Sequence, residues 1–277
     1  MDYKRIITGF FVGFTSYMAM FAGGLWLAIL VFVGVVYLSK EYTEILQHKG
    51  FLPSFKIMVA ASAMFAVIAY TGKLEYTPLA FTASVFMALL TVLFKGKQPY
   101  IANVATTVLG FLYCSWFPLH LVMLRSLGDN ASNLYMLPIP HLDGARYCVL
   151  IIFAVLFTDS FCYFTGCKFG KHKLAPVISP NKTIEGAIGG TFACLIITVV
   201  VGVLMQICWY HALILGILMA IFSQLGDLCE SMIKRDAGVK DSSNILPGHG
   251  GFLDRLDSYI LTIPVVYYYV THIMGLF

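Results

Sequence analysis

The densest group of reactive side chains in this sequence lies between residues 231 and 257. These 27 residues include four Asp, two Lys, two Arg, one His and four Gly, although only 12% of the chain is charged. The segment separates two apolar stretches, and charge beside apolar membrane segments usually marks a substrate or ion site. Carboxylates bind a hard cation such as Mg²⁺, and a cation together with Lys and Arg binds polyphosphate. The segment therefore predicts a site for a metal ion and a phosphorylated substrate.

Helical spacing groups several carboxylates of this region. Four polar residues share one helix face, because they stand at positions i, i+3, i+4 and i+7: Asp227, Glu230, Ser231 and Lys234. Gly238 is a suitable residue to end that helix, and Asp254 and Asp257 open the next helix on a single face. Two helix ends therefore direct carboxylates at one space. We expect Asp227 and Asp254 to bind the metal, with Asp257 and Glu230 in reserve.

The loop between these two helices carries basic residues and glycines. Four basic residues surround the carboxylates: Lys234, Arg235, Lys240 and Arg255. His249 precedes Gly250 and Gly251, where the missing side chains would let the backbone approach a phosphate. The alternative interpretation is a solvated, positively charged loop with ordinary surface salt bridges.

A second polar segment begins with Asp159, which lies inside an apolar span. A carboxylate there is costly unless it has a function or a structural partner, such as a nearby hydroxyl or Lys. Further on, Pro180 favours an extended turn, Thr183 is a suitable N-cap and Glu185 falls in the first helical turn. Free N–H groups at that helix start, together with Lys182, form an anion site by geometry. The alternative is simply a well-capped helix.

The composition indicates a polytopic membrane protein. Of the 277 residues, 59% are hydrophobic, and the mean hydropathy of +0.83 is far above that of a soluble domain. At about 20 residues a span, nine apolar segments are predicted, with a turn at Gly23-Gly24 after the first. They are residues 6–22, 25–38, 55–71, 77–94, 102–124, 147–166, 184–208, 211–233 and 256–274. The net charge of +4 is too small and too scattered to indicate a nucleic-acid partner.

The distribution of Lys and Arg predicts the orientation. With nine spans and the N-terminus inside, 15 of the 18 Lys and Arg residues fall on the cytoplasmic side. We therefore expect an all-α polytopic membrane protein with about nine transmembrane helices, the N-terminus cytoplasmic and the C-terminus outside. Residues 1–277 would form one integral-membrane domain. In it, residues 1–145 supply the N-terminal helices, and the Gly and Ala of the first three spans suit helix packing or a subunit contact in a homodimer. Residues 146–277 supply the catalytic helices and loops.

Both polar segments resemble the signature of the phosphatidate cytidylyltransferases, the CDP-diacylglycerol synthases. The first match runs through Ser231, Lys234, Arg235, Lys240, Asp241, Ser243, Leu246, Pro247, His249, Gly250, Gly251, Asp254, Arg255 and Asp257. Residues 179–186 are similar to the Ser-Pro-Lys-Lys-Thr-x-Glu-Gly segment of the same synthases, with Asn181 at a position where they carry Lys or Asn. Residues 159–163 match a further pattern, with Cys162 in place of Ala. The resemblance is strong over residues 159–257, and before them it rests on helix count and hydropathy.

The resemblance implies that CTP and phosphatidic acid react to give CDP-diacylglycerol and pyrophosphate, with one or two Mg²⁺ ions. The lipid phosphate is already nucleophilic at neutral pH, so the protein must align two polyanions and stabilise the charge on the transferred group. The residues expected at the CTP phosphates are Ser179, Asn181, Lys182, Thr183, Lys240, Gly250 and Gly251. Those expected at the lipid phosphate or pyrophosphate are Lys234, Arg235 and Arg255. His249 would contact a phosphate or donate a proton.

Four other functions compete with this interpretation. CTP-dependent polyprenol kinases and ether-lipid cytidylyltransferases share the membrane, CTP and metal but differ in the acceptor. A secondary transporter would favour a midplane site and repeated halves, whereas here the charge lies at one interface and no repeat is visible. A non-enzymatic scaffold gives no reason for the His-Gly-Gly loop. We expect the active site at the cytoplasmic membrane surface, where cytosolic CTP meets phosphatidic acid of the bilayer.

Overall fold

The computed structural model describes residue 18 and residues 20–128, 143–243 and 250–276. The predicted first span, residues 6–22, lies almost wholly outside this part of the chain, and so do Leu246, Pro247 and His249. The described backbone is helical apart from its loops, its turns and one two-stranded ribbon. The all-helical fold class expected from the sequence is therefore confirmed.

The secondary structure elements follow one another in a simple order. The helices are α1 (Gly24–His48), α2 (Phe55–Thr71), α3 (Thr77–Lys95), α4 (Tyr100–Phe111), α5 (Phe117–Ser126), α6 (Asp143–Phe169), α7 (Ile184–Leu204), α8 (Trp209–Asp236) and α9 (Leu253–Tyr268). A 3-10 turn at Leu74–Tyr76 leads into α3, and π-helical turns at Leu112–Trp116 and Tyr269–Ile273 follow α4 and α9. The strands β1 (Lys173–Ala175) and β2 (Ser179–Thr183) lie between α6 and α7.

Six helical stretches of the described chain are long and apolar enough to cross a membrane. They are Gly24–His48, Leu74–Lys95, Tyr100–Ser126, Gly144–Phe169, Ile184–Leu204 and Trp209–Asp236. The helix α2 is apolar but shorter, with 17 residues, and α9 has 16. Length and apolarity therefore identify a multi-pass membrane protein.

Local signals located most helix ends, with one clear exception. The predicted span 55–71 coincides with α2, and Gly23 and Gly24 take positive φ values of 63° and 49° where the first turn was expected. The predicted end of the next span at residue 38 is wrong, because α1 continues to His48. Tyr42, Ile45 and Leu46 continue the buried face of α1 at helical spacing, so its last turns remain packed against protein.

The described chain divides into two compact units. Unit 1 contains the residues up to Met123 together with Ile233–Leu256. In its core, four aromatic rings from α2, α3, α4 and the π turn pack with centroids 4.7–6.1 Å apart: Phe65, Phe81, Phe111 and Trp116. Such tilted and edge-on contacts are the arrangements that aromatic pairs prefer.

Unit 2 contains Leu124–Met232 together with the described residues from Asp257 onward. Glycines on α7 let this helix pack closely along α6. A Cβ at Gly190 would overlap the sulfur of Cys162, and one at Gly189 would overlap the side chain of Thr165. Small residues at such contacts are typical of membrane helix pairs, because they let the two backbones approach.

The ribbon of β1 and β2 is a feature that the sequence did not predict as paired strands. The strands are antiparallel, with Lys173 opposite Thr183 and Ala175 opposite Ser179. The Ile184 N–H donates to the carbonyl of His172 at 2.9 Å, which ties the ribbon to the first residue of α7. The ribbon therefore fixes the segment that carries Lys182 at the start of a helix.

Candidate active site

Thr183 caps α7 as predicted. Its backbone is extended (φ −122°, ψ 152°), and its Oγ1 accepts a hydrogen bond from the Gly186 N–H at 3.1 Å. Two glycines of α6 and the turn after it make room for this cap. A Cβ would lie 3.1 Å from Thr183 Oγ1 at Gly166 and 2.7 Å from Thr183 Cγ2 at Gly170. The cap fixes the position of Lys182 directly before the helix.

Lys182 forms an ion pair with Asp227 in unit 2. Its Nζ lies 2.6 Å from Asp227 Oδ2, and the two side chains are 25% and 33% exposed. The Ser231 hydroxyl also donates to Asp227 Oδ1, at the long distance of 3.5 Å. Asp227 is therefore held mainly by one partly exposed amine, which a phosphate can attract away.

Asp159 belongs to the same group of residues. The Ser258 hydroxyl of α9 donates to its Oδ1 at 3.4 Å, and its carboxylate interacts electrostatically with both Asp227 and Lys182. The sequence left open whether Asp159 had a structural partner, and Ser258 is that partner. Asp159 also lies close enough to the predicted site to add a second carboxylate.

A close helix crossing brings the backbone of Asp257 against Gly226. A Cβ at Gly226 of α8 would overlap the backbone carbonyl oxygen of Asp257, so only glycine permits this contact beside Asp227. The Asp257 Oδ1 accepts from the Ser258 N–H at 2.7 Å. We call Asp159, Lys182 and Asp227 the unit 2 cluster.

Asp254 lies in unit 1 and is bonded much more extensively. Lys234 Nζ lies 2.7 Å from its Oδ1, and these two side chains are only 12% and 16% exposed. Its Oδ2 accepts from the Gly251 N–H at 2.9 Å and from the Ser242 hydroxyl at 3.0 Å. The Ser242 N–H adds bonds of 3.3 and 3.1 Å to the two oxygens. Both oxygens of Asp254 therefore accept hydrogen bonds from its own unit.

Backbone geometry and packing explain why glycine occupies the two positions after His249. Gly250 has a φ of +79°, which side chains rarely tolerate. A Cβ at Gly251 would overlap the Ser242 hydroxyl oxygen. The approach of a phosphate to these glycines stays a prediction, since protein packing alone already requires glycine at both positions.

The end of α8 follows the prediction for Gly238. This residue has a φ of +74°, its N–H donates to the Arg235 carbonyl at 3.0 Å, and the Val239 N–H donates to the Lys234 carbonyl at 3.0 Å. This pair of bonds is the Schellman ending of a helix.

The remaining predicted site residues differ in exposure. Ser179 is partly exposed, Glu230 is fully buried, and four are exposed: Asn181, Arg235, Lys240 and Arg255.

Glu41 is a residue that the sequence analysis missed. It is 0% exposed, and its two carboxylate oxygens accept bonds from the backbone N–H groups of Phe252 and Leu253 at the start of α9. The sequence analysis ended the second span at residue 38, so Glu41 fell outside it. The apolar residues that follow it at helical spacing were the signal that could have placed it inside a buried helix face.

The residue types of the unit 2 cluster fit a hard cation. Among the described residues, no group of three or more His, Cys, Asp or Glu side chains is arranged to hold a metal. Asp159 and Asp227 nevertheless bring two carboxylates into electrostatic contact, and a divalent cation would offset their repulsion. Carboxylate oxygens are the ligands that Mg²⁺ prefers, and it usually takes only one or two from the protein.

Comparison with known proteins extends these local findings to the whole chain. A model of the cytidylyltransferase family matches residues 3–273. A phosphatidate cytidylyltransferase of Synechocystis sp. is 34% identical over 287 residues, covering 98% of this chain and 97% of the relative. The chloroplastic phosphatidate cytidylyltransferase 5 of Arabidopsis thaliana is 31% identical, over 96% of this chain and 71% of the relative. A phosphatidate cytidylyltransferase of Bacillus subtilis is 44% identical over 138 residues, about half of each chain. Because the family match covers almost every residue, this chain belongs to the cytidylyltransferase family.

Proposed function

We propose that this chain transfers the cytidylyl group of CTP to phosphatidic acid, forming CDP-diacylglycerol and pyrophosphate. The observation that carries this conclusion is the family match over residues 3–273, together with relatives named phosphatidate cytidylyltransferase. The nucleotidyltransferase function predicted from the two polar segments is therefore confirmed. Membership of this enzyme family also excludes the interpretations as a transporter or a scaffold.

The reaction exchanges one phosphoanhydride bond for another. An oxygen of the lipid phosphate forms a bond to the α-phosphorus of CTP, and the bond from that phosphorus to the β-phosphate breaks. The electron pair leaves with pyrophosphate. Since no proton must first be removed from an ionised lipid phosphate, the protein's tasks are alignment and charge stabilisation.

We assign the CTP phosphates to the segment that begins α7. Lys182 is partly exposed, stands directly before a capped helix start and is paired with a carboxylate that a phosphate can replace. Ser179, Asn181 and Thr183 belong to the same segment, and Lys240, Gly250 and Gly251 are proposed to assist. The lipid phosphate and the leaving pyrophosphate are assigned to Lys234, Arg235 and Arg255. His249, outside the described residues, is proposed to contact a phosphate or to donate a proton.

We propose Mg²⁺ as the cofactor, with Asp227 and Asp254 as its carboxylate ligands and Asp257 and Glu230 in reserve. Mg²⁺ would neutralise phosphate oxygens and favour departure of pyrophosphate. Asp227 is supported as a ligand because its carboxylate is partly exposed and has a single strong partner. Asp254 is supported because hydrogen bonds fix the orientation of its carboxylate.

We propose nine spans, with a cytoplasmic N-terminus, an external C-terminus and an active site facing the cytoplasm. The support is the distribution of Lys and Arg, 15 of 18 on one side. Reporter fusions at residues 175 and 277 should report opposite sides of the membrane. The same side for both would contradict this topology.

We also propose a homodimer formed through the N-terminal helices. Its support is the row of exposed apolar side chains on α3, which includes Leu79, Phe86 and Leu93. These side chains contact either lipid or a second copy. Light scattering of the purified protein in detergent should give twice the chain mass, and a single chain mass would contradict the proposal.

The function is tested by incorporating radiolabelled CTP into lipid with the purified chain. We expect a labelled lipid to form with phosphatidic acid, pyrophosphate to appear in equal amount, and a chelator to stop both until Mg²⁺ is restored. Polyprenol and an archaeal ether-lipid phosphate serve as competing acceptors. Transfer to either of them but not to phosphatidic acid would identify a different acceptor class.

A further inference from the structure

Glu41 is an acidic residue in a candidate membrane span, and it is completely buried. A buried carboxylate is costly unless hydrogen-bond donors replace the lost water. Its neighbour one turn further on, Glu44, is exposed and lies 3.9 Å from Lys40. The two residues share a helix and a charge, so their different surroundings need a specific explanation.

Three donors, and a fourth that is shared with Asp254, explain the burial of Glu41. Its Oε1 accepts from the Phe252 N–H at 2.8 Å and from the Ser243 hydroxyl. Its Oε2 accepts from the Leu253 N–H at 2.7 Å and from the Ser242 hydroxyl at 3.2 Å. Leu253 is the first residue of α9, where backbone N–H groups lack helical partners and favour a negative charge. Glu41 therefore anchors the first turn of α9.

Ser242 connects this anchor to Asp254. Its Oγ lies 3.2 Å from Glu41 Oε2 and 3.0 Å from Asp254 Oδ2. One hydroxyl has one proton and donates to one carboxylate at a time. The contacts of Glu41 with Phe252 and Leu253 therefore hold the backbone directly before Asp254, while Ser242 holds its carboxylate.

Two glycines show how closely α1 fits this segment. A Cβ at Gly34 would lie 3.2 Å from the Phe252 ring, and one at Gly251 would lie 3.0 Å from Glu41 Oε1. Gly34 precedes Glu41 by seven residues, so the two share one face of α1. That face contacts Ser242, Ser243 and residues 251–253.

We infer that Glu41 is a positioning residue for the proposed reaction: it fixes the first turn of α9 and thereby the orientation of Asp254. This inference rests on the proposed function, because Asp254 acts as a catalytic residue only there. Glu41 lies outside both polar segments that suggested the chemistry. It does not touch substrate in this assignment, and its effect passes through Phe252, Leu253 and Ser242.

The test compares Glu41→Gln with Glu44→Gln in the purified full-length chain. The amide of Gln offers one acceptor oxygen and turns its NH₂ group towards donors, so the first turn of α9 loses its anchor. We expect kcat for CDP-diacylglycerol formation to fall about 10- to 100-fold, while the KM for CTP changes less than about threefold. Glu44→Gln should match the wild type.

Hydrogen–deuterium exchange provides a readout that does not depend on activity. In Glu41→Gln, the amides of Phe252 and Leu253 should exchange at least about tenfold faster, because the one remaining carbonyl oxygen cannot replace both carboxylate oxygens that accepted from them. Glu41→Asp keeps the charge on a shorter arm and should restore part of both kcat and protection. A variant with a lower melting temperature but wild-type kcat, or with unchanged exchange, would overturn the inference.

Ser242→Ala keeps the test decisive if Glu41→Gln does not fold. It should lower kcat while leaving the exchange of Phe252 and Leu253 protected, since Glu41 still holds both amides. Wild-type kcat in Ser242→Ala would refute the connection to Asp254. Failure of the wild-type chain to form CDP-diacylglycerol would instead refute the proposed function, and the exchange measurement would still decide whether Glu41 anchors α9.

Discussion

Asp254 in unit 1 and Asp227 in unit 2 are assigned the same role but are held in different ways. Asp254 is largely buried and accepts bonds from Lys234, Gly251 and Ser242. Asp227 is about one-third exposed, and its partners are Lys182 at 2.6 Å and a long contact to Ser231. The fold therefore fixes the orientation of the Asp254 carboxylate, whereas it leaves the Asp227 carboxylate accessible to a ligand.

This difference predicts different costs for the same substitution. A buried group with several donors leaves those donors unsatisfied when it is changed, which lowers stability. A partly exposed ion pair contributes little to stability, because water and salt screen it. Activity should therefore fall at both positions, whereas stability should fall mainly at Asp254.

The largest effect is expected for Asp227→Asn. Removing the charge leaves Lys182 without its partner and removes a proposed Mg²⁺ ligand, so CDP-diacylglycerol formation should fall by at least about 10³-fold. The double variant with Asp254→Asn should be little worse, because the two residues are proposed to bind the same Mg²⁺ ion. Extra Mg²⁺ should restore only part of the activity of either single variant. Asp236→Asn, an exposed residue paired with Lys49, is the matched control.

The melting temperature of Asp254→Asn should separate the two carboxylates. The amide NH₂ of the new Asn faces N–H and O–H groups that donated hydrogen bonds to the carboxylate, and Lys234 loses its counter-charge. We therefore expect the free energy of unfolding to fall by about 1–3 kcal/mol. Asp227→Asn should melt near the wild type. Equal melting temperatures for the two variants would contradict the comparison, whatever their activities.

Lys182→Ala should weaken the use of CTP more than that of the lipid. An amine that bonds a phosphate contributes enough for the KM for CTP to rise about tenfold or more when it is removed. Lys173→Ala, an exposed residue of the neighbouring strand, provides the control. If the KM for CTP and kcat both stay at wild-type values in Lys182→Ala, this residue serves only membrane orientation.

Glu185→Gln should have the smallest effect of the series. Glu185 accepts bonds from the backbone N–H groups of Lys171 and His172 and contacts the His172 ring at 2.6 Å, so it ties the base of the ribbon to α7. These contacts lie at the surface, where we expect a change of at most about fivefold in kcat/KM for CTP. A loss as large as that of Asp227→Asn would give Glu185 a direct role in catalysis.

Local signals explain which parts of the fold were predictable. The cap at Thr183, the helix end at Gly238 and the turn at Gly23-Gly24 depend on a few neighbouring residues, and all three were found where expected. The bounds of the apolar helix at residues 55–71 were also correct, because polar residues and glycine bound it on both sides. The ribbon of β1 and β2 was not predicted, since its pairing depends on α6 and α7 bringing two short segments together.

The sequence by itself determined the membrane class, the chemistry and the order of the helices. Apolar length, the concentration of charge in two segments and the motif spacing are all properties of the linear chain. The tertiary structure alone decided that Glu41 faces the start of α9, that Ser258 is the partner of Asp159, and that Gly251 is required by Ser242. Glu41 and Leu253 are separated by 212 positions. Contacts of that kind depend on how buried faces fit, because a buried polar group must find its donors wherever the fold supplies them.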